Sequence, residues 1–300
     1  MASLRDIKRK IKSIRATRQI MYTMKMVASA RIKKAQNAIL SSRPFAIKME
    51  RMLSELEGEM HSTLSEDSAQ WLKTLCAAEG DGPHGLVLVS SDKGMCGPFN
   101  SNVFRQAVPW LRERRDRKIY AFTVGRKANH FLRSLRGVDI ELVKDISGIF
   151  PKAGFVHADM LGNALLESYA GKKLCGVTVI YNEFKSLMSQ KPVTLPLLPL
   201  AKGEQEPVRG TTFLRDFSFE PNKTDFLKLL VPRYIKAQLY RILLESQAAE
   251  LAARMNAMES ASNNAGGLIE DLTLKLNRTR QSAITTELTE IVAGAEALKS

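Results

Sequence analysis

Apolar residues recur at alternating steps of three and four through the first fifty positions: Leu4, Ile7, Ile11, Ile14, then Met21, Ala28, Ile32, Ala35, Ile39, Ala46 and Met49, with Arg18, Lys25 and Ser42 at the remaining steps. This is a heptad seam, narrower than the apolar face of an ordinary surface helix, and it predicts a helix over residues 1–57. Such a helix, roughly 80 Å long at 1.5 Å per residue, is too long for a compact domain. It cannot bury its seam alone, so it needs a helical partner. Pro44 is the one interruption; it predicts a kink, with a second helix capped by Ser41 or Ser42 as the alternative.

The partner is at the other end of the chain. Stepping from Leu244 through Ala248, Leu251, Met255, Met258, Ser262, Ala265, Ile269, Leu272 and Leu276 to Ala297 gives a second seam, with no proline after Pro232. The spacing predicts a helix over 222–300, and the joint solution is a long antiparallel coiled coil of the N- and C-terminal helices. Each large aliphatic side chain buried contributes about 1.5–3 kcal/mol, so six per helix bring at most roughly 10–20 kcal/mol. Gly266 and Gly267 each cost about 1 kcal/mol against Ala in a helix interior, which predicts the close approach of another backbone there.

Between the seams the period changes. The runs at 85–91, 119–125 and 175–184 read as strands, and 101–117, 126–135 and 155–170 as helices. The alternation predicts a small central α/β domain over 84–200, so the fold class is a coiled coil of the two termini plus an α/β domain. Residues 58–83 and the proline-rich 191–221 read as connectors.

Charge is concentrated at one end. Twelve Lys or Arg and no acid lie between Ile7 and Met49, in a chain of net charge +14. This segment implies an anionic counterpart outside itself: nucleic acid, an anionic membrane surface or an acidic protein. Phosphate binding along the basic helix is the competing reading, although no aromatic platform or helix-turn-helix signal accompanies it. Cys76, Cys96 and Cys175 are few and widely spaced, arguing against a disulfide framework or zinc site and for a reducing compartment. His61, His84, His130 and His157 have no metal-ligand spacing. No apolar run is long enough for a direct membrane span, and no secretory pattern opens the sequence. A basic transit peptide is the alternative at the N-terminus, but the pattern continues unbroken for more than forty residues.

One loop invites a catalytic reading. Ser90–Asn102, SSDKGMCGPFNSN, follows a predicted strand and precedes a predicted helix, where a phosphate can sit. It lacks the glycine spacing of either nucleotide-binding fingerprint, so a tight turn is the plainer reading. Cys96 reads as a small buried apolar residue rather than a nucleophile. An enzyme built on the α/β domain is the third functional class.

The ends then carry a resemblance. MKMVASARIKKAQ (24–36) resembles the N-terminal signature of the gamma subunit of the rotary F-type ATP synthase. Ile284, Thr285, Glu287, Glu290, Gly294 and Ala295 resemble its C-terminal signature. Residues 232–258, the Ser90–Asn102 loop and IYNEFKSLMSQKPV (180–193) are similar to the family in the same order. The resemblance implies a non-catalytic central stalk without a cofactor or metal. Its implied partners are the alpha and beta subunits of the catalytic ring, the epsilon subunit and the membrane rotor ring of c subunits, with no nucleic acid. It also implies a peripheral location on the cytoplasmic face of a bacterial plasma membrane, in preference to an organellar inner membrane.

By the same resemblance, Met24 and Lys25 match shaft positions near an acidic lever of the beta subunit. Arg254, Arg280, Gln281, Thr285 and Glu287 match positions facing the surrounding subunits. Phe217, Phe219 and Glu220 match a segment near the rotor ring. Asn263 departs from a common Asp, Pro98 from a Gly, and Leu276 and Phe217 each from a Tyr. The paired-cysteine insert of the chloroplast form has no counterpart.

Overall fold

A computed structural model describes residues 4–63, 82–171, 174–199 and 223–297. Its elements run α1 (Leu4–Thr63), β1 (His84–Val89), α2 (Phe99–Glu113), β2 (Ile119–Val124), α3 (Arg126–Ser134), β3 (Ile140–Ile146), α4 (Phe155–Gly171), β4 (Gly176–Phe184), β5 (Gln190–Leu198) and α5 (Lys223–Ala297). Both terminal helices are therefore present, and the sequence between them forms a five-stranded mixed sheet.

α1 is one element through Pro44, so no second helix begins there. Its seam is real. Ile7, Ile11, Ala28, Ile32, Ala35 and Met49 are all buried, as are Leu244, Ala248, Leu251, Met258 and Ile269 on α5.

The chain divides into two compact units, one of Met1–Ala28 with Arg254–Ser300 and one of Ser29–Ala253. In the first, α1 and α5 run antiparallel: Lys25 meets Glu259, Arg18 meets Gly266, and Ile7 and Ile11 pack with Ile269. Ile14, Leu272 and Leu276 close that cluster.

The second unit holds the sheet, ordered β3-β2-β1-β4-β5. The first four strands are parallel and β5 is antiparallel to β4. β1 is buried on both faces, which explains its unbroken apolar run. Strand alternation sends Val87 and Val89 to a core shared with α4 and α5, and Leu86 and Leu88 to one shared with α2 and α3. Phe104 and Phe131 stack with ring centroids 4.3 Å apart and fix α2 against α3.

Two strands escape the sequence reading, each for a physical reason. β3 is an edge strand on which Glu141 and Lys144 are half-exposed and Asp145 is exposed, leaving little apolar signal. β5 falls within the stretch read as a connector because it carries Pro192 and Pro196. Prolines are tolerated there because β5 is the opposite edge, where a missing N–H need not break a ladder.

Candidate functional site

In the unit of residues 1–28 and 254–300, two seam steps of α1 are cationic rather than apolar, and α5 answers them differently. Opposite Lys25 it places Glu259, with Nζ 2.6 Å from Oε1 and both side chains partly buried. Opposite Arg18 it places Gly266, where an added Cβ would lie 3.4 Å from the guanidinium carbon. The expected close approach at this glycine is thus made by an arginine side chain rather than by backbone. Gly267 has nothing within 4 Å of an added Cβ. Beside this contact lies an open groove of about 540 Å³ lined by Arg15, Arg18, Gln19, Tyr22, Ser262 and Ile269.

Of the expected interface residues, Met24, Lys25, Arg254, Arg280, Gln281, Thr285 and Glu287 all belong to this unit. Met24 and Arg254 are half-buried, whereas Arg280, Gln281, Thr285 and Glu287 are exposed on α5. The Thr285 hydroxyl donates back to the Gln281 carbonyl at 2.9 Å, a bond within the helix. Around them Ile284, Leu288, Ile291 and Val292 are exposed on successive turns. Phe217, Phe219 and Glu220 lie outside the described residues. Sequence reading did not single out Glu259, Arg15, Arg18 or Tyr22. The signal available was the pair of charged residues interrupting the α1 seam.

The Ser90–Asn102 loop belongs to the other unit and has a different character. Its polar groups are engaged with one another. Asn100 accepts from the Ser91 N–H at 3.0 Å and donates to the Ser91 hydroxyl at 2.8 Å, while that hydroxyl donates to the Lys93 carbonyl at 2.6 Å. Asp92 accepts backbone N–H groups from Arg126, Gly148 and Phe150, tying the ends of β1, β2 and β3 together. Strand order reverses between β1 and β4, the position at which open α/β sheets usually hold ligands. Here Cys96 and Phe99 pack with Ala249 and Ala253 of α5 and with Phe184, and Asn182 donates to the Phe99 carbonyl at 2.8 Å. The loop is a turn that seats α5, and Cys96 is a buried apolar contact.

α5 is also fastened by polar groups to β4, to α4 and to the turn before α4. The Tyr181 hydroxyl donates to Glu245, Lys236 pairs with Asp159 at 2.7 Å, and the Ala153 N–H donates to Gln247 at 2.8 Å. Burial, and after it the Glu245 carboxylate, pushes the Tyr181 phenol well above its ordinary value. Among the described residues, no cluster of three or more His, Cys, Asp or Glu side chains is arranged to hold a metal ion, and no helix is long and apolar enough to cross a membrane.

Comparison with known proteins matches this architecture along its length. A family model described as ATP synthase covers residues 3–298. An ATP synthase gamma chain of Elusimicrobium minutum is 46% identical over 306 residues, covering 99% of each chain. One from Anaeromyxobacter sp. strain Fw109-5 is 40% identical over 301 residues, covering 100% of each. Among solved structures, a chain of the Tetrahymena thermophila mitochondrial ATP synthase central stalk and c-ring aligns with TM-score 0.60 at 27% identity, over 81% of this chain and 99% of that one. A chain of the Euglena gracilis mitochondrial ATP synthase rotor has the same fold, with TM-score 0.62 at 18% identity over 94% and 98%. From end to end, in sequence and in fold, this chain belongs to the ATP synthase gamma chain family.

Proposed function

We propose that this chain is the central rotor shaft of a bacterial F-type ATP synthase, coupling transmembrane ion flow to ATP synthesis or hydrolysis at the beta subunits without catalysing either. Its partners are then the alpha and beta subunits around the paired helices, and epsilon and the c ring at the other end of the rotor. As part of that complex the chain itself lies peripherally, on the cytoplasmic face of the membrane. Met24, Lys25, Arg254, Arg280, Gln281, Thr285 and Glu287 face the alpha and beta subunits in this reading, and Phe217, Phe219 and Glu220 face the rotor ring.

The observation that carries the reading is the antiparallel pair of terminal helices, on which α5 displays Ile284, Leu288, Ile291 and Val292 to solvent. Apolar side chains recurring on consecutive turns without cover mark a contact surface. A shaft acts by differential contact: each angle of rotation favours one conformation of a surrounding subunit over another. Exposed ion pairs contribute only about 0–1 kcal/mol each, so charges guide register while shape and stiffness transmit torque.

The test is co-expression with alpha, beta and epsilon subunits. The expected result is a stable complex whose ATP hydrolysis turns this chain and, with the membrane sector, pumps ions. A chain that stays out of the complex and binds duplex DNA with a steep salt dependence supports the nucleic-acid reading instead.

A further inference from the structure

The unit of residues 29–253 has a concentration of positive charge of its own, at the end of the sheet where the strands begin. α2 runs out through Arg112 into the turn Arg114–Lys118, and α3 runs out through Arg133 to Arg136. The two segments lie side by side. Nη2 of Arg115 is 3.8 Å from the position of a Cβ on Gly137, and the Ile119 N–H donates to the Asp139 carbonyl at 2.9 Å. Four acids share this end, and two are engaged: Glu113 with Arg114 at 3.2 Å, and Glu141 with Lys118 at 2.8 Å. Asp116 and Asp139 remain against five arginines. Of these, Arg112, Arg115, Arg133 and Arg136 are exposed and make no ion pair among the described residues.

We infer that this arginine end of the sheet is a docking surface for the anionic headgroups of the bilayer that holds the complex. The inference rests on the rotor reading, which brings a membrane to the chain, and goes beyond it by giving the sheet a lipid contact. Two observations favour lipid over a macromolecular partner. From 96 to 154 no large hydrophobic side chain is exposed among the described residues, and Trp110, only 7% exposed, lies under the Arg114 guanidinium, 4.5 Å from the ring centroid. A protein interface needs apolar anchors at its centre, and single-stranded nucleic acid stacks its bases on open rings. A headgroup layer needs neither. The second observation is position. The ring-facing residues of α5 begin at Arg254 in the rotor reading, and Ala249 and Ala253 just before it pack on Cys96 and Phe99, beyond the other end of β1. Guanidinium forks offer a phosphate paired N–H donors, and every cation held near an anionic leaflet adds to the attraction. Headgroups diffuse laterally, so the contact persists while a rotor turns.

The test takes the complex of this chain with alpha, beta and epsilon subunits, without the membrane sector, and floats it with vesicles of phosphatidylcholine alone or with about 30% phosphatidylglycerol. The wild-type complex is expected to rise with the anionic vesicles and not with the neutral ones. Arg112→Gln, Arg115→Gln, Arg133→Gln and Arg136→Gln together are expected to lower its partition coefficient at least about tenfold. Arg126→Gln, Lys127→Gln, Lys152→Gln and Lys191→Gln remove the same charge from other exposed positions of the unit, and are expected to lower it by no more than about threefold. Lysine at the first four positions keeps the charge and is expected to stay within about threefold of wild type, which separates lost attraction from lost folding. Equal losses in the two glutamine sets show attraction to net charge alone and overturn the docking surface. So does a wild-type complex that stays off the anionic vesicles. Loss of epsilon from the first set assigns the arginines to a protein partner and overturns the lipid contact. If no complex assembles, the rotor reading fails, and the same comparison made on the chain alone still decides the surface.

Discussion

Tyr181 on β4 donates its hydroxyl to Glu245 of α5 across 3.0 Å, joining the sheet to the last helix by a charge-assisted hydrogen bond. Arg241 stands one turn before Glu245, its Nη1 3.7 Å from the carboxylate, so Glu245 is not left unpaired when the phenol is removed. Tyr181→Phe is therefore expected to cost about 1–2 kcal/mol. The folded-state pKa of the phenol lies above its unfolded value of roughly 10, so its contribution is fully present below that pH and is lost as pH rises towards the folded value. Urea unfolding at pH 8 and pH 11 should show wild type losing more stability than Tyr181→Phe. Parallel losses contradict the assignment.

Gly125 follows β2 with φ +88°, and a Cβ there would stand 2.3 Å from the Ser90 carbonyl oxygen. Gly148 has φ +80° with nothing within 4 Å. The pair separates backbone strain from collision. Gly148→Ala should cost about 1–2 kcal/mol from the left-handed conformation alone, and Gly125→Ala clearly more, because Ser90 is buried and fixed by its own bonds. Equal thermal destabilisation of the two variants is the contrary result.

The crevice between β1 and β4 is closed by Cys96, Phe99, Phe184, Ala249 and Ala253. In a variant retaining Cys96 as its only cysteine, the thiol should resist a water-soluble disulfide reagent in the native state and react on unfolding, since it is 1% exposed. Ala249→Leu should cost about 1–3 kcal/mol by overpacking the same place. Rapid labelling in the native state shows a crevice open to solvent.

How far the sequence discloses this molecule follows the length of each signal. A seam sustained over many turns identifies both terminal helices. Buried parallel strands such as β1 announce themselves by continuous apolar runs, but β3 alternates with charge and β5 carries two prolines, so the two sheet edges are silent. At the candidate site, spacing shows that Arg18 and Lys25 interrupt the seam, yet not what faces them. The counter-ion of Lys25 lies 234 residues away in sequence. Resemblance places Lys25 near a partner, and the geometry adds that it is also engaged with Glu259. No single-helix pattern contains that pairing.

The exposed end of α5 separates folding from assembly. Ile284, Leu288, Ile291 and Val292 recur at helical spacing and are 48%, 58%, 68% and 60% exposed. Side chains already this wet contribute little to the folded chain, so Leu288→Gln with Ile291→Asn should change stability by no more than about 0.5 kcal/mol per site. If the proposed alpha and beta subunits cover the stripe, each aliphatic group they move from water stabilises by about 1.5–3 kcal/mol. Losing two should therefore weaken association with the alpha and beta subunits by at least about tenfold. Thermal unfolding of the isolated chain and titration of labelled chain into alpha–beta mixtures measure the two quantities separately. If the double variant unfolds earlier but associates normally, the stripe serves the fold; if it folds normally and fails to associate, the stripe is the surface the surrounding subunits grip.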